Sequence, residues 1–404
     1  MHFLRKFVQF KTLDPIVREL IIISVIANIG QIIFGTFINI YAYQIAGGWS
    51  WLLWGTLLML TMTLIPFVIV GFLSRRHVLN MRPLFIAGII IYGLSFLCML
   101  PGTLWSLLVW YFVYGVANGL FYCAWNTYEL KRISIAARGQ YSGIWQAFYG
   151  LAKIIIPLLI SLLFFLLKDV NMTPYIILLP LSAIVSFISL YRVRKLPDEY
   201  LPKLQTADMH YFFQRKHFRW IFNISMRGIY RMVALTLLII SFYILKTEIN
   251  IWIYTSVIAL FTLLALVYIW RQVQEHNRVM YLGLACISLT LMYIFYAYHI
   301  TPLGFIIVSI WSVTLVPIHA IFDKVNYLRV LESLQSPTQN IFSPILGAEF
   351  LLYVTRALSI FILLFFVWQS TETVMKYALL IPAIWISLLR CSLYMWERQN
   401  KLKN

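Results

Sequence analysis

The chain alternates long apolar runs with short polar joints. A helix needs roughly 20 apolar residues to cross about 30 Å of hydrocarbon. Runs of about that length fall at 18–43, 50–73, 83–100, 103–128, 141–167, 173–191, 220–245, 249–270, 279–298, 301–322, 342–368 and 373–395, which predicts twelve membrane helices. Several joints are only a few residues long, such as AGG at 46–48 and PGT at 101–103, so no domain outside the membrane is expected there. The exception is 192–219, RVRKLPDEYLPKLQTADMHYFFQRKHFR, between the sixth and seventh runs. It divides the chain into a six-helix bundle at 1–191, a linker at 192–219, and a second six-helix bundle with a tail at 220–404. The linker ends in MHYFFQRKHFRW, expected to be an amphipathic segment lying on the membrane surface.

Composition agrees with the pattern. Of 404 residues, 62% are hydrophobic and 11% charged, and the mean hydropathy is +0.83. A soluble domain carries about 25% charged residues. The fold class is therefore an all-α polytopic membrane protein. Lys and Arg number 32 against 14 Asp and Glu, a net charge of +18, and their placement gives that excess its meaning. With the N-terminus inside, 25 of the cations fall in inner segments and only three, Lys168, Lys246 and Lys376, in outer loops. The positive-inside rule then places both termini in the cytoplasm, and the plasma membrane is the expected location. The basic excess faces the anionic inner leaflet, so membrane lipids rather than nucleic acid are its partner. Trp49, Trp51, Trp252 and Trp368 fall at outer helix ends and Trp220, Trp270 and Trp396 at inner ends, where indole prefers the headgroup level.

The four cysteines, Cys98, Cys123, Cys286 and Cys391, all lie inside apolar runs with no metal-binding spacing. The N-terminus lacks the pattern of a removable signal peptide. There is no HExxH, no paired DxxD on a loop and no Gly-rich phosphate loop. No enzyme activity, metal or cofactor is expected.

Six spans, a linker and six more spans is the plan of a parallel-repeat transporter. Shifting the chain by 203 positions lays SGIWQAFYGLAK (142–153) on ILGAEFLLYVTR (345–356), bringing Gln146 onto Glu349 and Lys153 onto Arg356. In both helices a carboxylate or its amide counterpart precedes a cation by seven residues, about two turns, so both occupy one face.

With these features the sequence resembles the major facilitator superfamily over nearly its whole length. The loop GFLSRRHVLNMRP at 71–83 is similar to that family's signature between helices two and three: Gly71, Arg76 and Arg82 fit, while Arg75 stands where the family usually has Asp. ARGQYSGIWQAFYG at 137–150 also looks like the family, in which Arg-Gly commonly precedes helix five. The resemblance implies a secondary transporter working by alternating access, with helices one, four, seven and ten lining a cavity and Gly71, Arg75, Arg76 and Arg82 in a cytoplasmic gate loop. Arg75 departs from the pattern at the position that in the family usually contributes the acid of this loop's ionic latch.

An ionisable side chain inside hydrocarbon costs about 2.5–3.5 kcal/mol on insertion scales, so it is expected to face a cavity or a partner. The deep set is Lys153, Arg227, Arg231, Glu349 and Arg356. Glu349 is a candidate for proton coupling if a transport cycle moves it between a lone and an arginine-paired environment; a permanent pair with a nearby cation is the other reading. Arg227 and Arg231 share a helix face. They either bind an anionic group or, for Arg227 especially, snorkel toward the inner surface. Asn28, Gln31 and Asn39 form a polar stripe on span one, Asn118 and Tyr122 belong to one on span four, and Gln146 joins Lys153 on span five. Such stripes contact substrate or bond neighbouring helices. His319 and Asp323, four apart at the inner end of span ten, read as a solvated gate. The cation excess favours an anionic small-molecule substrate, and the many aromatic residues favour an amphipathic organic one. A lipid flippase and a transporter-like sensor or assembly protein that moves nothing are the alternatives.

Overall fold

The computed structural model describes residues 13–134, 137–166, 173–225, 227–228, 327–335 and 340–369, together with Phe10 and scattered positions between 254 and 311. Six described helices are long and apolar enough to cross a membrane, and a seventh, Met81–Leu97, is apolar but shorter. The chain forms two compact units, Met1–Phe218 with Lys324–Phe350, and Arg219–Asp323 with Leu351–Asn404.

In the first unit, α1 (Pro15–Ala46) begins with proline in its first turn, and Asp14 caps it by accepting from the backbone N–H of Ile16 at 2.8 Å. It ends at Gly47, whose φ of 66° favours glycine. Helix α2 (Trp49–Ser74) follows directly, and α3 (Met81–Leu97) starts at the Asn80 cap. Helix α4 (Leu104–Arg132) opens with a reciprocal Thr103–Ser106 capping box and closes on Lys131 and Arg132 in its last turn, where cations suit the helix dipole. Helices α5 (Arg138–Leu166) and α6 (Thr173–Val193) complete the series. The sequence pattern ends the fourth span at 128, yet α4 runs one turn further and carries Glu129 into a fully buried position.

Small residues set the helix spacing. On α4, a Cβ added at Gly115 would stand 2.5 Å from the Met59 carbonyl oxygen of α2, and one at Gly119 would stand 2.4 Å from that of Thr63. On α3, a Cβ at Gly88 would meet the Phe121 backbone nitrogen at 2.7 Å. With no hydrophobic force between helices in lipid, such close backbone approach supplies the packing. Gly119→Val forces α2 and α4 apart and is expected to cost about 1–3 kcal/mol. A thermal melt in detergent checks this, with Val116→Leu on the same helix as a control expected to melt as wild type.

The linker docks rather than hanging free. Its strand β2 (Tyr200–Leu201) pairs antiparallel with β1 (Leu79–Asn80), in the register Leu79 to Leu201 and Asn80 to Tyr200. Leu204 N–H donates to the Ser74 carbonyl at 3.0 Å. The short helix α7 (Thr206–Phe212) buries Phe212, whose ring fills the space a Cβ at Gly347 would need. Phe213 and Phe218 are exposed, so an aromatic edge of this segment remains outward. Helix α8 (Phe342–Gln369) begins beside the linker, with Asn340 donating to the Lys203 carbonyl at 3.1 Å and accepting from the N–H of Phe342 at 2.9 Å.

Candidate functional site

Two groups of polar residues emerge, one on the linker side of the helices and one along their lengths. The first is an ionic latch. Arg82, at the start of α3, pairs with Asp198 at 3.1 Å and donates to the Leu196 carbonyl at 3.2 Å. Asn80 donates to the same Asp198 at 2.7 Å. Glu199, whose side chain is 7% exposed, receives Lys131 at 3.3 Å and also Arg132. Lys131 donates further to the Tyr200 carbonyl at 2.6 Å, and the Tyr128 hydroxyl donates to the Pro197 carbonyl at 2.7 Å. Five consecutive linker residues, 197–201, thus tie the α2–α3 loop to the end of α4.

Arg75 and Arg76 are exposed and make no ion pair among the described residues. The acids that pair with Arg82 of this loop and with the end of α4 are in the linker, at Asp198 and Glu199. Gly71 is buried where α8 comes close: an added Cβ would lie 2.8 Å from Leu346. Two further pairs brace this side. Arg138, only 2% exposed, bonds Glu332 at 2.9 Å, and Arg192 bonds Glu19 at 3.2 Å. Tyr141 donates to the buried Glu129 at 2.7 Å. Sequence reasoning missed Glu129, Glu199 and Glu332. A buried charge needs a partner, and three acids next to basic turns were the available signal.

The second group runs along α1, α3, α4 and α5. Gln31 on α1 hydrogen-bonds Tyr92 on α3, whose hydroxyl also meets that of Tyr114 on α4 at 3.1 Å. Tyr122 lies within electrostatic range of the same hydroxyl. Tyr92 was not singled out by the sequence, because span three shows no polar stripe, yet it is where the stripes of spans one and four converge. Asn118 is buried, and its side-chain oxygen has no hydrogen-bond partner among the described residues. Asn28 donates to the Ser24 carbonyl at 2.6 Å, and Trp145 of α5 donates to the Ser24 hydroxyl at 2.7 Å. Asn28 is thereby turned back onto its own helix. Asn39 lies in α1, but its side chain is outside the described residues.

Helix α5 shows which way its polar face points. Ile155, Leu158, Leu159, Leu162 and Leu166 are exposed and form an apolar stripe suited to lipid. At 3.6 residues per turn, Lys153 falls about 160° around the helix from the centre of that stripe, and Gln146 about 180°. Lys153 is nevertheless exposed. It stands over the Tyr149 ring at 4.5 Å, and Tyr149 stacks on Trp145 with centroids 5.1 Å apart. No carboxylate pairs with Lys153 among the described residues. The exposed ammonium thus lies on the side of α5 opposite its apolar stripe.

Helix α8 repeats the arrangement. Phe350, Val354, Leu358, Phe361 and Phe365 form its exposed apolar stripe, and Arg356 and Glu349 fall about 160° and 140° from its centre. Both are half-buried. Gln146 and Lys153 on α5, and Glu349 and Arg356 on α8, thus each lie on the side of their helix away from its exposed apolar stripe. Glu349 lies within electrostatic range of Cys123 on α4. Arg227 is half-buried beside Gly228, which packs tightly on Thr355 of α8. Arg231, His319 and Asp323 lie outside the described residues. Among the described residues no three His, Cys, Asp or Glu side chains gather as a metal site.

No curated protein sequence matches the chain. Solved structures do. The human organic anion transporter MFSD10 (TETRAN) superposes with a TM-score of 0.63 at 12% identity, over 93% of this chain and 100% of that one. The nucleoside transporter NupG superposes with a TM-score of 0.62 at 14% identity, over 95% of this chain and 99% of that one. At such identities the likeness is one of fold. The sequence profile of the Major Facilitator Superfamily matches residues 78–325.

Proposed function

Given that the chain belongs to the major facilitator superfamily, we propose that it is a secondary active transporter that carries a small molecule across the plasma membrane by alternating access. In this reading the twelve spans form two six-helix bundles joined by the 192–219 linker, with both termini in the cytoplasm. The latch of Arg82, Lys131 and Arg132 on Asp198 and Glu199 is then the cytoplasmic gate. Gln31, Tyr92, Tyr122 and Asn118 supply hydrogen bonds to the substrate, and Lys153 and Gln146 line its path. Glu349 carries the coupling proton.

One observation supports this reading most: Lys153 stands exposed on the face of α5 that turns away from its lipid-suited stripe. A protein that only assembled with others in the membrane would have no use for a wet cation midway along an interior helix face, given its insertion cost of about 2.5–3.5 kcal/mol. The similar structures are transporters of organic anions and of nucleosides, so both classes belong in the test. Purified protein in liposomes preloaded with unlabelled solute is presented with trace labelled solute, over a panel of organic anions and nucleosides. Labelled solute is expected to accumulate inside by counterflow for at least one compound. Folded, reconstituted protein that binds a panel compound without ever exchanging it across the bilayer contradicts the proposal.

A further inference from the structure

The basic residues on the linker side of the first unit fall into two sets. Arg82, Lys131, Arg132, Arg138 and Arg192 each hold a carboxylate. Arg75, Arg76, Lys203, Arg215 and Lys216 are exposed and hold none among the described residues. The acids of the linker do not serve this second set: Asp198 and Glu199 are taken by the first, and Asp208 is buried and accepts the Gln205 N–H at 2.9 Å.

Packing gathers the second set around the end of α2. The Leu204 N–H donates to the Ser74 carbonyl at 3.0 Å, which brings the chain at Lys203 alongside the chain at Arg75. Gly71 packs on Leu346 and Gly347 packs on Phe212, so the end of α2 and the segment carrying Arg215 and Lys216 are anchored on one turn of α8. The Lys216 ammonium stands over the Tyr211 ring at 4.2 Å, a contact that positions the charge without neutralising it. Apolar side chains from the same stretches are also exposed: Phe72, Leu73 and Val78 around the two arginines, and Phe213 and Phe218 around Arg215 and Lys216. Phe72 and Leu73 lie in the last turn of an apolar helix long enough to cross a membrane, so cations that follow them directly stand at headgroup level. Arg215 and Lys216 come just before the apolar run that begins at 220 and stand at headgroup level too.

We propose that the end of α2 and the docked linker form a binding surface for the phosphate headgroups of anionic phospholipids. A free anion would engage the cations and leave the exposed phenyl and leucyl groups in water, whereas a phospholipid satisfies both, its phosphate against the cations and its acyl chains against the apolar groups. The surface also gives Arg75 a role. The acid that the family usually has at this position would repel a phosphate, and the arginine attracts one. The proposal depends on the chain spanning a membrane and not on its moving a solute, so lipid binding and counterflow fail separately.

Native mass spectrometry of the full chain in a neutral detergent, titrated with phosphatidylglycerol or phosphatidylcholine, gives the affinity for the first lipid bound. Wild type is expected to prefer phosphatidylglycerol at least about fivefold, the effect of a single cation near an anionic surface, and the preference is expected to fall as ionic strength rises. The variant Arg75→Gln/Arg76→Gln/Arg215→Gln/Lys216→Gln is expected to bring the preference below about twofold, since several such cations are lost at once. Arg194→Gln is the control: Arg194 is exposed at the end of α6, which packs on α1 and α3, and its removal is expected to leave the preference unchanged. If the fourfold variant does not fold, the pairs Arg75→Gln/Arg76→Gln and Arg215→Gln/Lys216→Gln are measured separately, and each is expected to reduce the preference. No preference in wild type, or wild-type preference in the folded variants, overturns the surface. Inorganic phosphate equimolar with the lipid should not displace phosphatidylglycerol; displacement would show that the cations take a free anion and would overturn the assignment to lipid.

Discussion

Lys153→Gln is expected to lower the initial rate of transport at least tenfold for the solute identified by counterflow, with protein abundance in the membrane within twofold of wild type. A tenfold change corresponds to about 1.4 kcal/mol, and a unit charge acting at 4 Å through an effective dielectric of about 20 supplies up to about 4 kcal/mol. Loss of the ammonium therefore has ample electrostatic reach to produce the effect if solute passes this face. The fold should tolerate the change. The exposed ammonium holds no carboxylate partner among the described residues, and its one described contact is with the Tyr149 ring at 4.5 Å, worth about 0.5–1 kcal/mol at an exposed site. Leu159→Gln provides the opposite control. Leu159 is exposed on the apolar stripe of the same helix, and its substitution is expected to reduce insertion or stability while leaving the rate per folded molecule unchanged. Uptake normalised to folded protein separates the two effects, and an unchanged rate in Lys153→Gln removes Lys153 from the solute path.

The second large effect is expected at Glu199. Its side chain is only 7% exposed, and it takes both Lys131 and Arg132. Removing one member of a buried ion pair leaves a desolvated charge and costs about 3–5 kcal/mol in fully buried cases. Here Lys131 is 22% and Arg132 37% exposed, so solvent takes up part of the loss and Glu199→Gln should cost about 2 kcal/mol. Asp198→Asn touches a pair in which both side chains are about one-third exposed, and should cost about 0.5 kcal/mol. The linker should loosen selectively in Glu199→Gln. Limited proteolysis is expected to cut within 195–217 several times faster than in wild type, whereas equal cleavage rates in both would show that the β1–β2 ladder, not the ion pairs, holds the linker.

Much of the first unit was legible because the signal for a membrane helix is local. The runs at 18–43, 50–73, 141–167 and 173–191 differ from α1, α2, α5 and α6 by three residues or fewer at each end. The fourth span shows where locality fails. Glu129, Lys131 and Arg132 look like a polar joint, and the helix continues through them because Tyr141 and Glu199, from elsewhere in the chain, satisfy those charges. The latch was hidden for the same reason. Asp198 lies 116 residues from Arg82, and Glu332 lies 194 from Arg138, so no window along the sequence contains both partners. Arg75 gave a partial warning: it showed that the acid expected in the loop was missing, but not that the linker supplies one.

The candidate site divides similarly. Helical spacing alone puts Lys153 on one face with Gln146, and Arg356 on one face with Glu349, since seven residues are close to two turns. Which way each face points required the exposed stripes on the opposite side, Ile155 to Leu166 on α5 and Phe350 to Phe365 on α8. Tyr92 required three helices at once. The close approach of Gly228 to Thr355 has no signature in the sequence around either residue.

Water access to position 153 tests the transporter reading most directly. In a background with Cys98, Cys123, Cys286 and Cys391 replaced by Ser, Lys153→Cys is placed in oriented vesicles and treated from each side in turn with a charged, membrane-impermeant methanethiosulfonate. Leu159→Cys serves as the lipid-facing control. The reading predicts that Lys153→Cys reacts from both sides, because alternating access opens the same face to each, while Leu159→Cys stays inert. A cysteine at 153 that is inert from both sides, or that reacts from one side only throughout saturating solute gradients in either direction, contradicts it.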